Sequence, residues 1–346
     1  MKPLQTINWE EGGTISFIDQ TQLPNSFRIV RCRSVERLIM AIRRLEIRGA
    51  PALGIAGALG VALASRTIRE RDDSKYLDML RTEAERIAQS RPTAVNLSWG
   101  VRQALDAAMQ GTSISDIRIR ALEAALRVAE DDARSCHALG EYGAILLPDP
   151  CTVLTHCNAG ALACREWGTA LGVVRSAVEQ GKEVRVLACE TRPLLQGARL
   201  TAWELFRDGI PVTVIPDSSA ALLMMQKEID VVIVGADRVT RDAVFNKVGT
   251  YMHALCARHH CIPFYVAAPL STFDPMHRAA EITIEERGRE EVASFCRVPT
   301  VPDGVPVRNP AFDATPHELV TAFFTDAGAF RPPLEWDLLS TGGPGT

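Results

Sequence analysis

The sequence of 346 residues lacks an excess of positive charge and lacks a hydrophobic run long enough to cross a membrane. Lys and Arg number 38 against 42 Asp and Glu, which gives a formal net charge of −4. This balance argues against nonspecific binding to a nucleic-acid backbone. The longest stretch without charge, 49–65, contains Pro51 and is shorter than the roughly 20 residues of a membrane span. We therefore expect neither a nucleic acid nor a membrane as a partner.

Short motifs of metal, redox and nucleotide chemistry are also missing. The nine cysteines form no CxxC pair, and the seven histidines form neither HxxxH nor HExxH. No GxxxxGK[ST] or GxGxxG loop occurs. These absences argue against a metal centre and against a nucleotide cofactor. The odd number of cysteines and an N-terminus without an apolar signal core favour reduced thiols and a cytoplasmic location.

What the chain does contain is enough apolar sequence for a large core, since 47% of its residues are hydrophobic and 23% are charged. At roughly 150 residues per domain its length predicts two domains. The first half reads as a β-hairpin over 5–18 followed by helices. Ser34 is the expected N-cap of the first helix, and the later helices are predicted over 51–66, 74–89, 98–110 and 114–139.

The second half alternates short β-branched runs with helical stretches. The strands are predicted at 151–155, 184–188, 211–215, 230–234 and 262–267, and the helices at 161–180, 196–208, 218–228 and 248–260. Such alternation is typical of a parallel sheet covered on both faces. The prediction is an α/β protein: a small, mostly helical N-terminal domain with a hairpin (1–148), then a Rossmann-like domain (149–346).

Two of the loops that follow predicted strands contain residues able to do chemistry, and ligands bind at this end of such sheets. Cys157 follows the first strand. It is either a small buried thiol or a reactive one, activated by the N-terminus of the helix predicted to follow it. Asp237 follows the fourth strand, and it is either a helix cap or charge partner, or an acid/base group.

Other polar loops add weaker candidates. Asn246 and Lys247 are predicted to open a helix whose free N–H groups suit a phosphate. Arg192 and Gln196 could bind an oxyanion or hydroxyl groups, although Glu190 and Arg192 could equally pair with each other. In the helical half, two arginine loops precede helices, at Arg48–Pro51 and Arg91–Leu97.

Taken in this order, the segments closely resemble the methylthioribose-1-phosphate isomerase family. This family shares its fold with archaeal ribose-1,5-bisphosphate isomerases and with the regulatory subunits of the translation-initiation guanine-exchange factor. The resemblance extends from about Ile7 beyond Asp313. Its most specific motifs are IRGAP (47–51), RPTAVNL (91–97), HCN (156–158), ETRP (190–193), GADR (235–238) and NKVGT (246–250).

The resemblance implies that Cys157 and Asp237 are the catalytic pair. It implies a homodimer without metal or organic cofactor that converts a 5-substituted ribose 1-phosphate, in methionine salvage 5-methylthioribose 1-phosphate, to the corresponding ribulose 1-phosphate. It further implies that the sugar phosphate contacts Arg48, Gly49, Ala50, Arg91, Gln196, Asn246 and Lys247.

One segment departs from the family pattern. Between Asp237 and Asn246 the chain reads RVTRDAVF, where the family usually has an Asn-Gly-Asp turn and one more residue. Arg241 is therefore the one obvious additional cation near the site. An inward Arg241 would favour a polar 5-substituent such as that of ribose 1,5-bisphosphate, and a surface Arg241 would favour 5-methylthio or 5-deoxy groups. A non-catalytic sugar-phosphate or nucleotide sensor is the rival from another class, and it would not require Cys157 and Asp237.

Overall fold

The chain folds as two compact units in a computed structural model that describes residues 3–92, 94–295 and 298–337. The first unit comprises residues 3–137 together with Gly160–Gly168. The second comprises Ala138–Ala159 and residues 169–337. The boundary therefore differs from the predicted one at 148/149, because the long helix that ends at Ile145 continues from one unit into the other.

The first unit begins with a three-stranded antiparallel sheet in the order β1-β2-β3 and continues with helices. The predicted hairpin is confirmed as β1 and β2, and β3 was not predicted. Ser34 caps the first helix by accepting a hydrogen bond from the Arg37 N–H, as expected. The elements are β1 (Ile7–Glu10), β2 (Thr14–Ile18), β3 (Ile29–Cys32), α1 (Val35–Arg43), α2 (Ala50–Thr67), α3 (Asp73–Ala88), α4 (Val95–Met109) and α5 (Ile114–Ile145).

Helix α2 is the centre of the first unit's core. Within the described residues it is the one helix long and apolar enough to cross a membrane, but most of it is buried inside the protein, as in a core helix. Its glycines permit close packing on α4, since a Cβ at Gly57 would lie 2.5 Å from the Leu97 carbonyl oxygen. This packing accounts for the unbroken apolar sequence of α2.

The second unit is built on a seven-stranded sheet in the order β15-β14-β10-β7-β4-β5-β6. All neighbouring pairs are parallel except β14 and β15. The predicted strands are confirmed to within two residues at each end, and so is the predicted fold class. The strands are β4 (Cys151–Thr155), β5 (Val184–Cys189), β6 (Val212–Ile215), β7 (Val231–Val234), β10 (Phe264–Ala267), β14 (Ala322–Thr325) and β15 (Gly328–Phe330).

The strand order reverses at β4. The chain adds β5 and β6 on one side of β4 and then returns to place β7 on its other side. Such a reversal leaves a crevice beyond the carboxyl ends of the two central strands, and ligands of α/β proteins bind there. The loops that follow β4 and β7 are therefore where the fold itself predicts a site.

Both faces of the sheet are covered, which explains the continuously apolar strands. Successive residues contact opposite cores: Val153 and Ile233 belong to one apolar cluster, and Leu154 and Val232 belong to the other. The helices of this unit are α6 (Ala170–Glu179), α7 (Ala202–Arg207), α8 (Ala220–Met225), α9 (Thr250–His259) and α10 (Glu290–Ala293).

Two smaller sheets complete this unit. One pairs β8 (Arg238–Val239) with β9 (Ala243–Lys247) and β9 with β13 (Phe312–Pro316), all antiparallel. The other pairs β11 (Ser294–Phe295) with β12 (Val298–Pro299). The segment after Asp237 that departs from the family pattern is thus a hairpin and not an open loop.

Candidate active site

Cys157 and Asp237 lie in the loops that follow the two strands at the reversal. Leu154 of β4 pairs in parallel with Val232 of β7, so the two loops leave the same edge of the sheet side by side. They also approach closely, because a Cβ added at Gly235 would lie 2.6 Å from the Ala159 Cβ. Gly235 is therefore required by the packing of these two loops.

Cys157 is half-buried, and its backbone has a φ of +66°. Its N–H donates to the Thr191 hydroxyl at 2.9 Å, and its carbonyl oxygen accepts a hydrogen bond from the Thr201 hydroxyl at 2.7 Å. The left-handed region is uncommon for residues other than glycine. The backbone at Cys157 is thus held in a costly conformation by Thr191 of the loop after β5 and by Thr201 of the helical segment that follows it.

The helix predicted directly after Cys157 is wrong. The chain forms only a short 3-10 turn at Ala161–Ala163, and α6 begins at Ala170. In between, Trp167 is buried and stacks on His137, with ring centroids 4.4 Å apart. Burying this aromatic ring outweighs the helix propensity of the small residues around it. Cys157 therefore does not lie at a helix N-terminus, and this activation of its thiol does not operate.

Asp237 is half-buried three residues beyond the end of β7. Its N–H donates to the Phe245 carbonyl oxygen at 2.8 Å, which fixes its backbone against the β8–β9 hairpin. The preceding residues Val231–Val234 are fully buried. The apolar run that the sequence predicts next to this carboxylate is confirmed.

Gln196 is 8% exposed, and its Oε1 atom is buried without a hydrogen-bond partner among the described residues. It lies between the loop after β5 and a single π-helical turn, Gly197–Thr201. Gly197 allows this close approach, since a Cβ there would lie 1.7 Å from the Cys189 carbonyl oxygen. A buried polar atom with no partner costs stability, so its presence points to a ligand that satisfies it.

Arg192 does not pair with Glu190. Its guanidinium donates to the carbonyl oxygens of Pro193 at 2.9 Å and Val292 at 3.2 Å and lies over the Phe295 ring. These contacts use two of the five N–H donors of the guanidinium.

The prediction that Asn246 and Lys247 open a helix is wrong, because both belong to β9 and α9 begins at Thr250. Both side chains are buried. Asn246 donates to the Thr250 hydroxyl at 3.2 Å, and the Lys247 ammonium donates to the Ala311 carbonyl oxygen at 2.8 Å and lies over the Phe312 ring.

The N-terminus of α9 is occupied by a side chain of the protein. The Asp313 carboxylate accepts hydrogen bonds from the N–H groups of Gly249 at 2.7 Å and Tyr251 at 3.1 Å. Burial raises the pKa of Asp313 to about 6. The helix N-terminus that the sequence offers to a phosphate is therefore already capped by a carboxylate, and Lys247 remains as the cation of this segment.

The remaining predicted residues lie in the first unit. Arg48 and Arg91 are half-buried, and Ala50 is the first residue of α2. Gly49 has a φ of +95°, and a Cβ there would lie 2.5 Å from the Ala163 Cα. Gly49 is therefore fixed by packing as well as by backbone conformation. Thr93, which belongs to the second arginine motif, lies outside the described residues.

His156 and His253 form a buried cluster with Cys189 that the sequence did not predict. The His156 Nε2 atom lies 2.8 Å from the Val248 carbonyl oxygen, so this nitrogen carries the proton. Its Nδ1 then accepts from His253 Nε2 at 3.3 Å, and the Cys189 Sγ lies 3.6 Å from the same His253 atom. Burial lowers the pKa of His156 to about 4 and that of His253 to about 3.

The same three groups lie within 4.8 Å of one another, as do Asp132, Cys136 and Cys164 in the first unit. Either set could offer ligand atoms to a metal ion. In the histidine set, however, the His253 Nε2 and His156 Nδ1 atoms that would bind an ion already form a hydrogen bond with each other. His253 lies between Met252 and Ala254 in α9, and only the folded structure brings it to His156.

Residues 46–332 match the model of the initiation factor 2 subunit family, which is most of the chain. The chain belongs to this family. A putative methylthioribose-1-phosphate isomerase from Archaeoglobus fulgidus is 52% identical over 332 residues, covering 96% of this chain and 97% of the relative. A 5-deoxyribose 1-phosphate isomerase from Moorella thermoacetica is 47% identical over 341 residues, covering 97% of each.

Among solved structures, the 5-methylthioribose 1-phosphate isomerase from Pyrococcus horikoshii is similar to this chain with a TM-score of 0.90 and 39% identity. The similarity covers 96% of this chain and 94% of that one. These relatives place the chain among the isomerases of the initiation factor 2 subunit family. All predicted site residues, from Arg48 to Lys247, lie inside the range that matches the family.

Proposed function

We propose that this protein is an aldose-ketose isomerase that converts 5-methylthioribose 1-phosphate to 5-methylthioribulose 1-phosphate. The observation that carries the proposal is the placement of Cys157 and Asp237 in adjoining loops at the reversal of the sheet. The proposal includes a cytoplasmic homodimer acting in methionine salvage, as the family resemblance implies. A non-catalytic sensor would have no need of a thiol and a carboxylate at this position.

Asp237 is proposed as the acid that opens the ring. The 1-phosphate blocks O1, so the sugar cannot open spontaneously to an aldehyde. An acid must protonate the ring oxygen as the bond from C1 to that oxygen breaks. The residues Val231–Val234 that precede Asp237 are fully buried, so this carboxyl group stands shortly after an apolar strand.

Hydrogen must then move from C2 to C1, by a proton relay through Cys157 or by a direct hydride shift. The relay requires a thiolate, and Cys157 lacks the helix N-terminus that would favour one. We therefore propose the hydride shift, in which hydrogen moves with its electron pair from C2 to C1 as the bond from C1 to the ring oxygen breaks. The O2 proton then passes to the Asp237 carboxylate left by ring opening as the C2 carbonyl forms, and Cys157 positions or polarises the substrate. A reaction in D₂O tests this choice, because incorporation of deuterium at C1 of the product above background would establish the relay.

The sugar phosphate is proposed to contact Arg48, Gly49, Ala50, Arg91, Gln196, Asn246 and Lys247. Guanidinium groups suit a phosphate dianion because they donate two parallel hydrogen bonds. The buried Oε1 of Gln196 fits a substrate hydroxyl group, which would supply the missing donor.

The position of Arg241 supports a small, apolar 5-substituent. Its side chain is exposed and donates to the Pro275 carbonyl oxygen at the surface. The neighbouring Asp242 carboxylate instead accepts from the Ala279 N–H at 2.8 Å. The arginine is thus held outward by the protein itself, which disfavours a role in binding a second phosphate.

The first test is Asp237→Asn. The amide keeps the shape of the side chain but cannot deliver a proton, so kcat should fall by about 10²- to 10⁴-fold with little change in substrate affinity. Asp230→Asn is the matched control, because this carboxylate follows α8 and accepts from the Thr152 N–H at the opposite end of β4. If the Asp237→Asn enzyme kept more than about a tenth of the wild-type activity, Asp237 would not be the acid.

The second test concerns the thiol. Cys164 and Cys189 are fully buried, whereas Cys261 is exposed and Cys256 is half-buried. Iodoacetamide labelling should therefore be performed in a background where Cys256, Cys261 and Cys296 are replaced by serine. Substrate should protect Cys157 and preserve activity. Complete inactivation without modification of Cys157, or full activity in Cys157→Ser, would contradict its assignment.

The substrate is decided by comparing kcat/KM for 5-methylthioribose 1-phosphate, 5-deoxyribose 1-phosphate and ribose 1,5-bisphosphate. The Moorella relative makes the 5-deoxy compound the second candidate. We expect the bisphosphate to be the poorest of the three. A preference for the bisphosphate that disappears in Arg241→Ala would reverse this choice.

A further inference from the structure

The backbone at Cys157 is held in the left-handed region, which is unfavourable for a residue with a Cβ. Its φ of +66° has a cost of about 1 kcal/mol or more. Residues persist in such conformations only where surrounding contacts determine them. The conformation also sets the direction in which the Cys157 side chain leaves the loop.

Two threonine hydroxyls supply these contacts, one on each side of the residue. Thr191 accepts from the Cys157 N–H at 2.9 Å and donates to the Cys189 carbonyl oxygen at 3.0 Å. Thr201 donates to the Cys157 carbonyl oxygen at 2.7 Å and accepts from the Asn158 amide at 3.2 Å. Each hydroxyl has both a donor and an acceptor role assigned, so its orientation is fixed.

Both threonines are completely buried and are anchored in turn. The Thr191 N–H donates to the Asp217 carboxylate at 2.7 Å. On the Thr201 side, the Asn158 amide also donates to Glu204 at 2.6 Å, and Glu204 is paired with Arg175 at 2.7 Å. Glu204 and Arg175 are a buried ion pair, which forms a rigid support on the Thr201 side.

We propose that Thr191 and Thr201 are positioning residues that hold Cys157 in its left-handed conformation and thereby aim its thiol at the reacting carbons. This inference rests on the proposed function, in which Cys157 belongs to the active site. Neither hydroxyl reacts with the substrate. Their contribution is the orientation of the thiol, and small misplacements of a group that positions the substrate lower rates by up to about 10²-fold.

The test compares valine and serine at each position. Thr191→Val and Thr201→Val remove the hydroxyl with little change in shape, and Thr191→Ser and Thr201→Ser retain it. The valine variants should lose at least about 10-fold in kcat, with KM within about 3-fold of wild type and slower alkylation of Cys157. The serine variants should recover most of the rate. Thr213→Val, on the exposed edge strand β6, is the matched control.

Valine leaves the Cys157 N–H or the carbonyl oxygen without a partner, and this could lower stability too far for folding. Thr191→Ala and Thr201→Ala are therefore measured as well, because the smaller side chain admits water beside the backbone. They should show the same loss in kcat. Urea unfolding midpoints accompany every variant, so that activity is compared only among folded proteins.

Three outcomes would overturn the inference: folded valine or alanine variants with wild-type kcat, a loss confined to KM, or serine variants as impaired as valine. Failure of the proposed function gives a different result, since the wild-type protein would then turn over none of the three sugar phosphates. An inactive Cys157→Ser combined with fully active threonine variants would refute the positioning role alone.

Discussion

Replacing Gln196 with methionine should raise the free energy of unfolding of the substrate-free protein and should also raise KM. The two side chains are similar in length, but methionine removes the buried Oε1 atom that has no partner among the described residues. An unsatisfied buried polar group costs about 1–3 kcal/mol, so the free energy of unfolding should rise by up to that amount. The lost hydrogen bond to substrate should raise KM by roughly 2- to 13-fold, which corresponds to about 0.5–1.5 kcal/mol.

Urea unfolding without substrate gives the first quantity, and steady-state kinetics gives the second. Gln226→Met is the matched control, because Gln226 is exposed at the end of α8 and should change neither. The reasoning would be refuted if Gln196→Met were less stable than wild type at an unchanged m-value, or if KM stayed within about 2-fold. Either result would mean that the Gln196 Oε1 atom has a hydrogen-bond donor within the protein and does not bind the substrate.

Two further predictions follow from the loops around the site. Gly249→Ala should destabilise the protein by more than Gly181→Ala, measured by urea unfolding. Both glycines have a positive φ, but their surroundings differ. A Cβ at Gly249 would lie 3.0 Å from the His156 Nε2 atom, whereas a Cβ at Gly181 would have no atom within 4 Å. Equal losses of stability would contradict this prediction. Burial raises the pKa of Asp132 to about 7 and that of Asp313 to about 6, so these two carboxyl groups stabilise the folded protein as the pH falls from 7 to 5. His156 and His253 act in the opposite direction, because the unfolded chain protonates its histidines near pH 6.5 whereas burial keeps these two neutral to about pH 4 and 3. Each of these histidines lowers the stability by up to about 1.4 kcal/mol per pH unit below pH 6.5. His253→Gln should therefore reduce the slope of the free energy of unfolding against pH, and an unchanged slope would refute the neutral state of His156 and His253.

The sequence by itself determined the elements whose pattern is local. The strands at 151–155 and 231–234 are short β-branched runs bounded by polar residues, and this pattern is typical of buried strands. Because loops that follow parallel strands share one edge of the sheet, the sequence also placed Cys157 and Asp237 at that edge. The family motifs then selected these two residues from among the other polar candidates.

The tertiary structure decided what depends on contacts distant in sequence. Small residues after Cys157 permit a helix, but burial of Trp167 against His137 prevents one. Lys247 belongs to a strand because it pairs with Phe312, 65 residues later. A prediction from the pattern of neighbouring residues cannot detect a partner at that distance in sequence.

The two threonines that hold Cys157 illustrate the same limit. Thr191 and Thr201 lie 34 and 44 residues from Cys157 in sequence. Nothing in the residues next to Cys157 indicates its positive φ, because backbone strain of this kind is imposed by neighbours that only the folded chain supplies. Local propensity therefore set the sheet and the loops, and long-range hydrogen bonding and burial set the conformation in which the candidate thiol is presented.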